Sequence, residues 1–436
     1  MKQILSHIVV TCLLTATVAH AQQTLNLSQA ECRRMALAHN EDLQRADNAV
    51  RQAQIDKAIA FAAYLPKIDG TLNGTYLSDM DMMGVELQMR GMYMAGISLT
   101  QPLFTGGKIR ASNKLAEIGR QCAEQQRRLT HMQVVADADK AYWSYIAVQW
   151  KVKMLETYKR QMDTLYSQVR VSLIAGMSTD NDLLRIDTKR CEIDYQLQKA
   201  VNGSNLCRLS LCNILGCPLE STIIPIDTVI TLSIPKHLDE SIASRPELHL
   251  LQKQVEAAER QVKMARADII PQIGLSAGYI YYGNVKMKGM TTDAQGNPLS
   301  FTQKFNDGLS LVMASVSIPI FHWGEGLKKI KRAKMNVRNK ELDLQKNTRL
   351  LSIEVRRAIQ NFMDSHALVQ TAALGCRQAD ENLRNMRNRY KNGMCSLTDL
   401  MDAQARWQQA QSNSIEAQTQ CKINETEYLQ VTGKLE

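Results

Sequence analysis

The segment that decides the fold is QPLFTGG at residues 101–107, because a related segment, IPIFHWG, follows at residues 318–324. A second landmark, the Gly-Met pair at residues 176–177, returns at residues 393–394. Both pairs are separated by the same distance, from 102 to 319 and from 176 to 393. The same distance also separates Gly216 from Gly433. Landmarks at one constant offset indicate an internal duplication, and therefore two structurally related halves.

The residues that follow each of these landmarks favour long helices. Proline is absent from residues 103–217 and again from residues 320–436, and proline is the residue that breaks helix interiors. Small and apolar side chains follow one another at alternating steps of three and four, as in a coiled-coil seam. The pattern predicts helices over about 106–174 and 324–392, each on the order of 100 Å long. Each helix would turn at its repeated glycine and be followed by a shorter return helix.

Upstream of each long helix the hydrophobic period changes from helical to two. Apolar residues alternate with polar or small ones, which predicts four strands of about ten residues in two β-hairpins, over 68–101 and 272–319. A single hairpin of this kind is equally typical of a soluble, half-buried sheet. Two related hairpins beside very long helices favour strands that face lipid.

Four prolines mark the expected junctions between helices and strands. Pro271 and Pro319 are 12 residues farther apart than Pro66 and Pro102. The second half therefore carries extra residues between its junctions. We expect them in a loop within the polar run at residues 283–308.

The strand count predicts an oligomer. Four strands cannot close around a lumen, and open strand edges are not tolerated in lipid. Three copies would supply a twelve-stranded barrel, whereas two would leave almost no pore. No segment after residue 21 reaches 18 consecutive apolar residues, so we expect no transmembrane helix.

The first residues predict the compartment. Lys2, a short apolar stretch and an A-x-A site at residues 19–21 are typical of a secretory signal peptide over residues 1–21; a buried N-terminal helix is the alternative. The formal charge of +10 is spread among Asp, Glu and Gln along helical patterns. That distribution is typical of a solvated helical surface, so we expect no nucleic-acid partner.

The residue types that carry catalysis or bind metals do not cluster. The cysteines lack C-x-x-C spacing and the histidines are scattered, which predicts no metal site and no cofactor. One or two disulfides remain open, with no pairing assigned. No Ser-His-Asp, Cys-His or paired-carboxylate constellation lies on a pocket-forming loop, so the sequence does not indicate an enzyme.

These patterns predict a mainly α-helical, internally duplicated chain with four membrane strands. The first repeat would span residues 22–216 and the second residues 243–436. Residues 217–242 between them are rich in proline and β-branched residues. We expect this stretch to form a connecting segment.

The repeated motifs resemble those of the TolC-like outer-membrane efflux proteins. The resemblance is carried by P-[LI]-F-x-x-G at Pro102 and Pro319, R-P-E-L at residues 245–248, and G-x5-D-L at Gly176 and Gly393. It implies a homotrimer whose twelve-stranded barrel contacts outer-membrane lipid. It also implies a long helical tunnel through the periplasm, with the connecting segment contributing to an equatorial belt.

The resemblance further implies partners at the tips of the helical hairpins. There a periplasmic adaptor protein would connect the channel to an inner-membrane transporter of the RND or ABC class. The residues expected to contact the adaptor are Gly176, Met177, Ser178, Gly393, Met394 and Cys395. A plain helical turn would explain the glycines as well. The alternative function is that of a structural periplasmic coiled-coil protein.

Four residues match the family's pore entrance by position. Asp399 and Asp402 match its acidic rings, and their spacing of three places both on one helical face. Three copies would surround the pore with negative charge, which favours cations. Tyr390 and Asp182 match positions that tie adjacent coiled coils in the closed state. Helix capping is the alternative role for Asp182 and Asp399, and a seam position is the alternative for Tyr390. Cys395 departs from the family pattern, which has a basic residue there.

Overall fold

The structure is a computed structural model. It describes residues 24–78, 80–82, 85–88, 90–227, 238–292, 295 and 297–435. The predicted signal peptide and residues 228–237 of the connecting segment lie outside these residues. The chain divides into two compact units. One comprises Met1–Asp47, Gln126–Leu248 and Asn347–Glu436, and the other comprises Asn48–Gln125 and His249–Lys346.

The described residues are mostly helical, with strands grouped in two places. In chain order the elements are β1 (Thr24–Leu27), α1 (Gln29–His39), α2 (Glu41–Ala62), β2 (Lys67–Thr75), β3 (Met80–Met82), β4 (Val85–Gln88), β5 (Met92–Thr105), α3 (Lys108–Ile174), α4 (Asp180–Leu215), β6 (Thr222–Pro225), α5 (Pro246–Ala267), β7 (Gln272–Thr292), β8 (Pro298–Ser317), α6 (Glu325–Lys391) and α7 (Leu397–Val431). None of the helices in this part of the chain combines the length and apolarity that a membrane crossing requires.

Local sequence signals set the ends of the long helices. Helices α3 and α6 each have 67 residues, close to the two predicted ranges. The return helices α4 and α7 begin with capping boxes at Thr179 and Ser396. At its other end α4 stops at Gly216, whose φ of 67° is left-handed and favours glycine.

The first unit has its core where the four long helices pack. One cluster of buried side chains joins α3, α4, α6 and α7, with Tyr158, Met162, Ile186 and Leu400 among its members. Tyr158 and Ile186 are fully buried. Burying an aliphatic or aromatic side chain of this size contributes roughly 1.5–3 kcal/mol, so packing between the helices is their main source of stability.

A second cluster in the same unit ties the N-terminal elements to the long helices. It includes Cys32 of α1, Tyr142 of α3 and Leu211 of α4, and β1 pairs in parallel with β6 beside it. Next to this cluster the carboxylate of Asp139 is fully buried. Arg33 reaches Asp139 at 2.6 Å, so the buried charge has a partner.

The second unit contains a sheet whose long strands are all antiparallel to their neighbours. The order is β2-β5-β7-β4-β3, and β8 pairs with the other side of β7. Strand β7 is long enough to pair with β5 along its first half, with β4 farther on, and with β8 along nearly its whole length. Strands β2 and β8 each have one long neighbour, so each leaves an unpaired edge among the described residues.

Although Ile280, Leu309 and Leu311 lie on the other face of the sheet, the register aligns apolar residues from all four long strands on one face. Ile68 pairs with Leu99, which pairs with Ala277, which pairs with Val312. On this face Val312 is 74% exposed and Ile97 is 63% exposed. The opposite face of β2 and β5 carries polar or small residues: Asp69, Thr71, Asn73, Gly96 and Ser98.

Two predictions about this sheet are wrong. Pro102 does not mark the junction before α3, because β5 continues to Thr105. The strand accommodates the proline at a register shift between Pro102 and Phe104, and such irregularities are where strands tolerate proline. The polar run at residues 283–308 is not a loop either, since β7 extends to Thr292 and β8 begins at Pro298. The extra residues lengthen the second hairpin.

The other three prolines lie between helix and strand. Pro66 separates α2 from β2, Pro271 separates α5 from β7, and Pro319 follows β8 before α6. In the second unit Gly106, after β5, has a φ of +61°, and a Cβ there would come within 2.8 Å of the Ala267 carbonyl oxygen. Only glycine permits this close approach of the chain to the end of α5.

Candidate functional site

The tip of the first helical hairpin is a glycine-terminated turn. Helix α3 ends in a pair of bonds in which Gly176 N donates to Leu173 O at 2.9 Å and Met177 N donates to Ser172 O at 2.8 Å. This is the Schellman pattern, and Gly176 adopts its left-handed φ of 71°. The Met177 side chain is 78% exposed. The turn therefore presents an apolar side chain to its surroundings.

Helix α4 starts directly after this turn with a reciprocal cap. Thr179 Oγ1 accepts from the backbone N–H of Asp182 at 3.2 Å, and Asp182 Oδ2 accepts from the Thr179 N–H at 3.2 Å. Ser178 Oγ also donates to Asp182 Oδ2 at 3.2 Å. The capping alternative considered for Asp182 is therefore its role within this chain.

The second tip repeats the same backbone device. Gly393 N donates to Tyr390 O at 3.0 Å, and Met394 N donates to Arg389 O at 2.8 Å. Ser396 then caps α7, and Asp399 Oδ2 accepts from the Ser396 hydroxyl at 2.7 Å and from its N–H at 3.0 Å. Both capping boxes thus use an aspartate at the same position of the repeat.

The two capping aspartates remain ionised under ordinary conditions. Hydrogen bonds from Thr179 lower the pKa of Asp182, and hydrogen bonds from Ser396 lower the pKa of Asp399. Asp399 is exposed and Asp182 is half-buried. A carboxylate that caps its own helix through Oδ2 still presents its charge to solvent, so capping and a place in a charged ring are compatible.

Asp402, one turn into α7, has a partner that the sequence reasoning omitted. Arg406 Nε donates to Asp402 Oδ2 at 2.8 Å, and both side chains are exposed. The guanidinium offsets part of the negative charge expected from this aspartate. The spacing of four along one helix was the available signal.

Tyr390 lies at the end of α6, half-buried against the cluster that joins the long helices. Burial raises the pKa of its phenol, and the negative charge of Asp182 raises that pKa further. Asp182 is thus close enough to Tyr390 to influence the pKa of its phenol. The Cys395 thiol, in the turn between α6 and α7, donates to the Met386 carbonyl oxygen of α6 at 3.6 Å.

The sequence analysis also did not predict two polar contacts between the repeats. Arg185 Nη1 of α4 donates to Thr398 Oγ1 of α7 at 3.0 Å. Farther along the same two helices, Gln408 Nε2 donates to Gln196 Oε1 at 2.8 Å. No local signal indicated either contact, because the partners lie 213 and 212 residues apart in the chain.

No group of three or more His, Cys, Asp or Glu side chains suited to a metal ion occurs among the residues that the structure describes. The arrangement at the two tips consists instead of capped helix ends, exposed methionines and carboxylates on one end of a helical bundle. Such a surface supports docking and electrostatic selection.

The family model for outer membrane efflux proteins matches residues 32–189 and 237–434, which takes in most of both repeats. The chain belongs to the outer membrane efflux protein family. Members of this family are channel components of the outer membrane that extend into the periplasm, and they are not enzymes.

Named members of the outer membrane efflux protein family are similar along nearly the whole chain. The probable outer membrane lipoprotein SilC of Salmonella typhimurium is 21% identical over 91% of this chain and 84% of its own length. The alkaline protease secretion protein AprF of Pseudomonas aeruginosa is 22% identical over 85% of this chain and 77% of its own length.

The cation efflux system protein CusC of Escherichia coli K12 is similar in sequence and in fold. It is 20% identical over 85% of this chain and 78% of its own. The crystal structure of CusC superimposes with a TM-score of 0.78 at 16% identity, covering 94% of this chain and 93% of that one. At this identity the superposition shows the shared fold.

Proposed function

We propose that three copies of this chain form the outer-membrane duct of an export complex, through which cargo leaves passively. The observation that carries the proposal is a sheet with four long strands, an exposed apolar face and two unpaired long edges. The same chain also carries two long helical hairpins. Water does not favour an exposed apolar face of this kind, whereas lipid does.

The edges support a closed ring of three copies. Backbone N–H and C=O groups at the free edges of β2 and β8 need partners in lipid. Pairing β8 of one copy with β2 of the next supplies them, and three copies of the four long strands give twelve. The polar face of β2 and β5 would then line the lumen, as in barrels that conduct.

The helical hairpins would continue the duct into the periplasm and meet an adaptor at their tips. Met177 and Met394 are 78% and 64% exposed at the two turns. Flexible, polarizable methionines suit a docking surface. We place the adaptor contacts at Gly176, Met177, Ser178, Gly393, Met394 and Cys395.

The entrance of the duct would lie at the same end. Asp399 supplies an ionised carboxylate in each copy, and three copies would favour cations. Asp402 adds less negative charge than its position suggests, because Arg406 pairs with it. Tyr390 and Asp182, which lie near each other, would hold the entrance closed.

The energy for export would come from an inner-membrane transporter of the RND or ABC class. The names of the relatives span different cargoes: CusC is a cation efflux protein and AprF serves protease secretion. This chain is similar to both relatives, and the proposed duct of a tripartite complex is compatible with either kind of cargo.

The strand pairing can be tested with a photo-crosslinking residue at Thr71 in edge strand β2. In cells, ultraviolet light is expected to link one copy to another and to give an outer-membrane trimer. The matched control carries the same residue at Ser98 in the central strand β5, where both neighbours belong to the same chain, and should give no link between copies. A monomer at both positions would refute the closed ring.

The partners can be identified with a tagged version of the protein. After crosslinking in cells and membrane fractionation, the proteins that co-purify with it are identified. Recovery of an adaptor with a proton-driven pump would indicate small-molecule efflux, and recovery with an ATP-driven transporter would indicate ABC-type export or secretion. A soluble protein without an adaptor would overturn the proposal and favour a structural coiled coil.

A further inference from the structure

A small cavity lies inside the helical bundle of the first unit, close to the second tip. It has a volume of about 230 Å³ and is formed by α3, α6 and α7. The polar residues of its wall are Gln161, Thr164, Gln168, Arg387, Tyr390, Lys391 and Gln404, and Leu165 and Leu400 complete it. None of these residues is acidic.

The inner wall of this cavity carries polar atoms that lack partners. Arg387 Nη2, Gln161 Oε1 and Gln404 Oε1 are buried and have no hydrogen-bonding partner among the described residues. Gln404 is 2% exposed. Buried polar groups are almost always satisfied, so three such atoms around one cavity point to something that occupies it.

The charge of Arg387 determines what kind of occupant fits. Elsewhere in this unit buried or half-buried guanidinium groups meet carboxylates: half-buried Arg33 pairs with Asp139 at 2.6 Å, and buried Arg245 pairs with Glu354 at 2.8 Å. No carboxylate lies within ion-pair distance of Arg387 in the described part of the chain. Burial alone lowers the pKa of Arg387. A buried cation without a counter-charge is costly, and an anion would remove that cost.

The surrounding groups suit an oxyanion. A guanidinium presents a planar fork of donors that matches phosphate and carboxylate oxygens. Rotation of either glutamine amide by 180° exchanges its oxygen for an NH₂ group, so Gln161 and Gln404 can also donate. Lys391 and Gln168 are exposed at the outer side of the cavity, where a cation would attract an entering anion.

We propose that this cavity binds a small inorganic oxyanion, held by Arg387 and the two glutamines beneath the hairpin tip. The site lies within a single chain, so the inference goes beyond the proposed duct and does not depend on it. Tyr390 lines the same cavity. An anion bound there would neutralise a charge next to a residue of the proposed entrance.

The first test measures the melting temperature of the full-length protein, purified in detergent, as inorganic phosphate replaces a bulky sulfonate buffer at constant ionic strength. Phosphate at roughly ten times its dissociation constant would raise the melting temperature by about 2 °C. The Arg387→Gln variant should lose this phosphate-dependent rise. Arg170→Gln should keep it, because Arg170 is the exposed counterpart of Arg387 in the first repeat.

A second variant keeps the test decisive if Arg387→Gln does not fold. Gln404→Glu places a carboxylate of nearly the same shape in the cavity, where it would take the place of the anion. The phosphate-dependent rise should then be lost while the protein stays folded. Loss of the rise in every variant of the site that folds, with Arg170→Gln unchanged, supports the site. A rise that is absent from the wild type, or retained in folded Arg387→Gln or Gln404→Glu, would overturn the proposal.

Discussion

The two hairpin tips have the same backbone and different side chains. Each ends a long helix with a left-handed glycine and starts a return helix with a hydroxyl–aspartate capping box. Around this frame the repeats diverge. Arg185 of the first tip corresponds to Asp402 of the second, and Leu173 corresponds to Tyr390. Local backbone requirements are thus kept in both halves, whereas the charges at the two tips differ.

A second pair of equivalent positions shows the same divergence inside the bundle. On the long helices Asp163 and Asp380 correspond, and each accepts a hydrogen bond from the return helix. In the first repeat the donor is Arg190, which stacks over Tyr166 at 4.5 Å. In the second repeat it is Trp407, which is 8% exposed and belongs to the core.

The largest effect on stability is expected when the donors to these two aspartates, Trp407 and Arg190, are removed. Trp407→Ala removes a buried aromatic side chain and should lower the free energy of unfolding by about 3–5 kcal/mol. Arg190→Ala removes a half-exposed ion pair and should lower it by less than about 1 kcal/mol. Urea unfolding of both variants measures the difference, and Trp407→Phe separates the lost hydrogen bond from the lost packing. Equal losses for Arg190→Ala and Trp407→Ala would show that the two contacts are energetically equivalent.

The next effect concerns the charges at the tips. Asp399→Asn should lower the preference for cations over anions, because each of the three copies loses one unit charge at the proposed entrance. Arg406→Gln should raise it, because Asp402 is then no longer offset. Asp182→Asn should change it less, since the Arg185 charge lies nearby. Reversal potentials of single channels measure these ratios.

The control for these charge variants is Ser396→Ala, which weakens the cap and leaves the Asp399 carboxylate in place. It should preserve the ion preference of the wild type. If Ser396→Ala and Asp399→Asn shift the ratio equally, the carboxylate acts through the helix end and not through its charge in the pore.

A smaller effect on stability is expected from a change of pH, and this effect should be similar at both tips. The folded-state pKa values of Asp182 and Asp399 are lowered. Their contribution to stability is therefore present above the unfolded carboxyl pKa, about 4, and is lost as pH falls through the lower folded values. The melting-temperature difference between wild type and Asp399→Asn should be constant from pH 7 to about 5 and shrink below that. A difference that grows on acidification would contradict the cap.

The smallest effect is expected at the contact that joins the two halves. Arg185→Ala and Thr398→Val each remove the same exposed hydrogen bond. The coupling between them should be about 0.5–1 kcal/mol, measured by a double-mutant cycle on urea unfolding. Zero coupling would mean that the repeats are held together near the tips by their apolar cluster alone.

Much of the fold follows from periodicities that are strictly local. The proline-free tracts and the repeated glycines predicted two long helices and their turns to within a few residues, because helix continuation and termination depend on neighbours along the chain. The long strands were predicted from alternation, and their length was underestimated in the second hairpin. Lys286 and Lys288 lie in strand β7 although the run around them is polar.

The parts that sequence reasoning missed depend on residues far apart in the chain. Pro102 was assigned to a junction because the register shift beside it arises only when β5 pairs with β7. The partners of Asp402 and Arg185 were overlooked, although a spacing of four indicated the first. The place of Tyr390 near Asp182 rested on the family resemblance, since nothing local connects residues at opposite ends of different helices.

The sequence by itself determined the duplication, the helical hairpins and the family, because each depends on short-range pattern. Only the tertiary structure decided which apolar faces align across the sheet, which buried guanidinium meets a carboxylate, and which does not. Arg387 and Arg245 are both arginines of the same helical unit. In the folded chain Arg245 lies beside Glu354, whereas Arg387 lies beside a cavity. The free-energy cost of burying a charge depends on whether an opposite charge lies next to it.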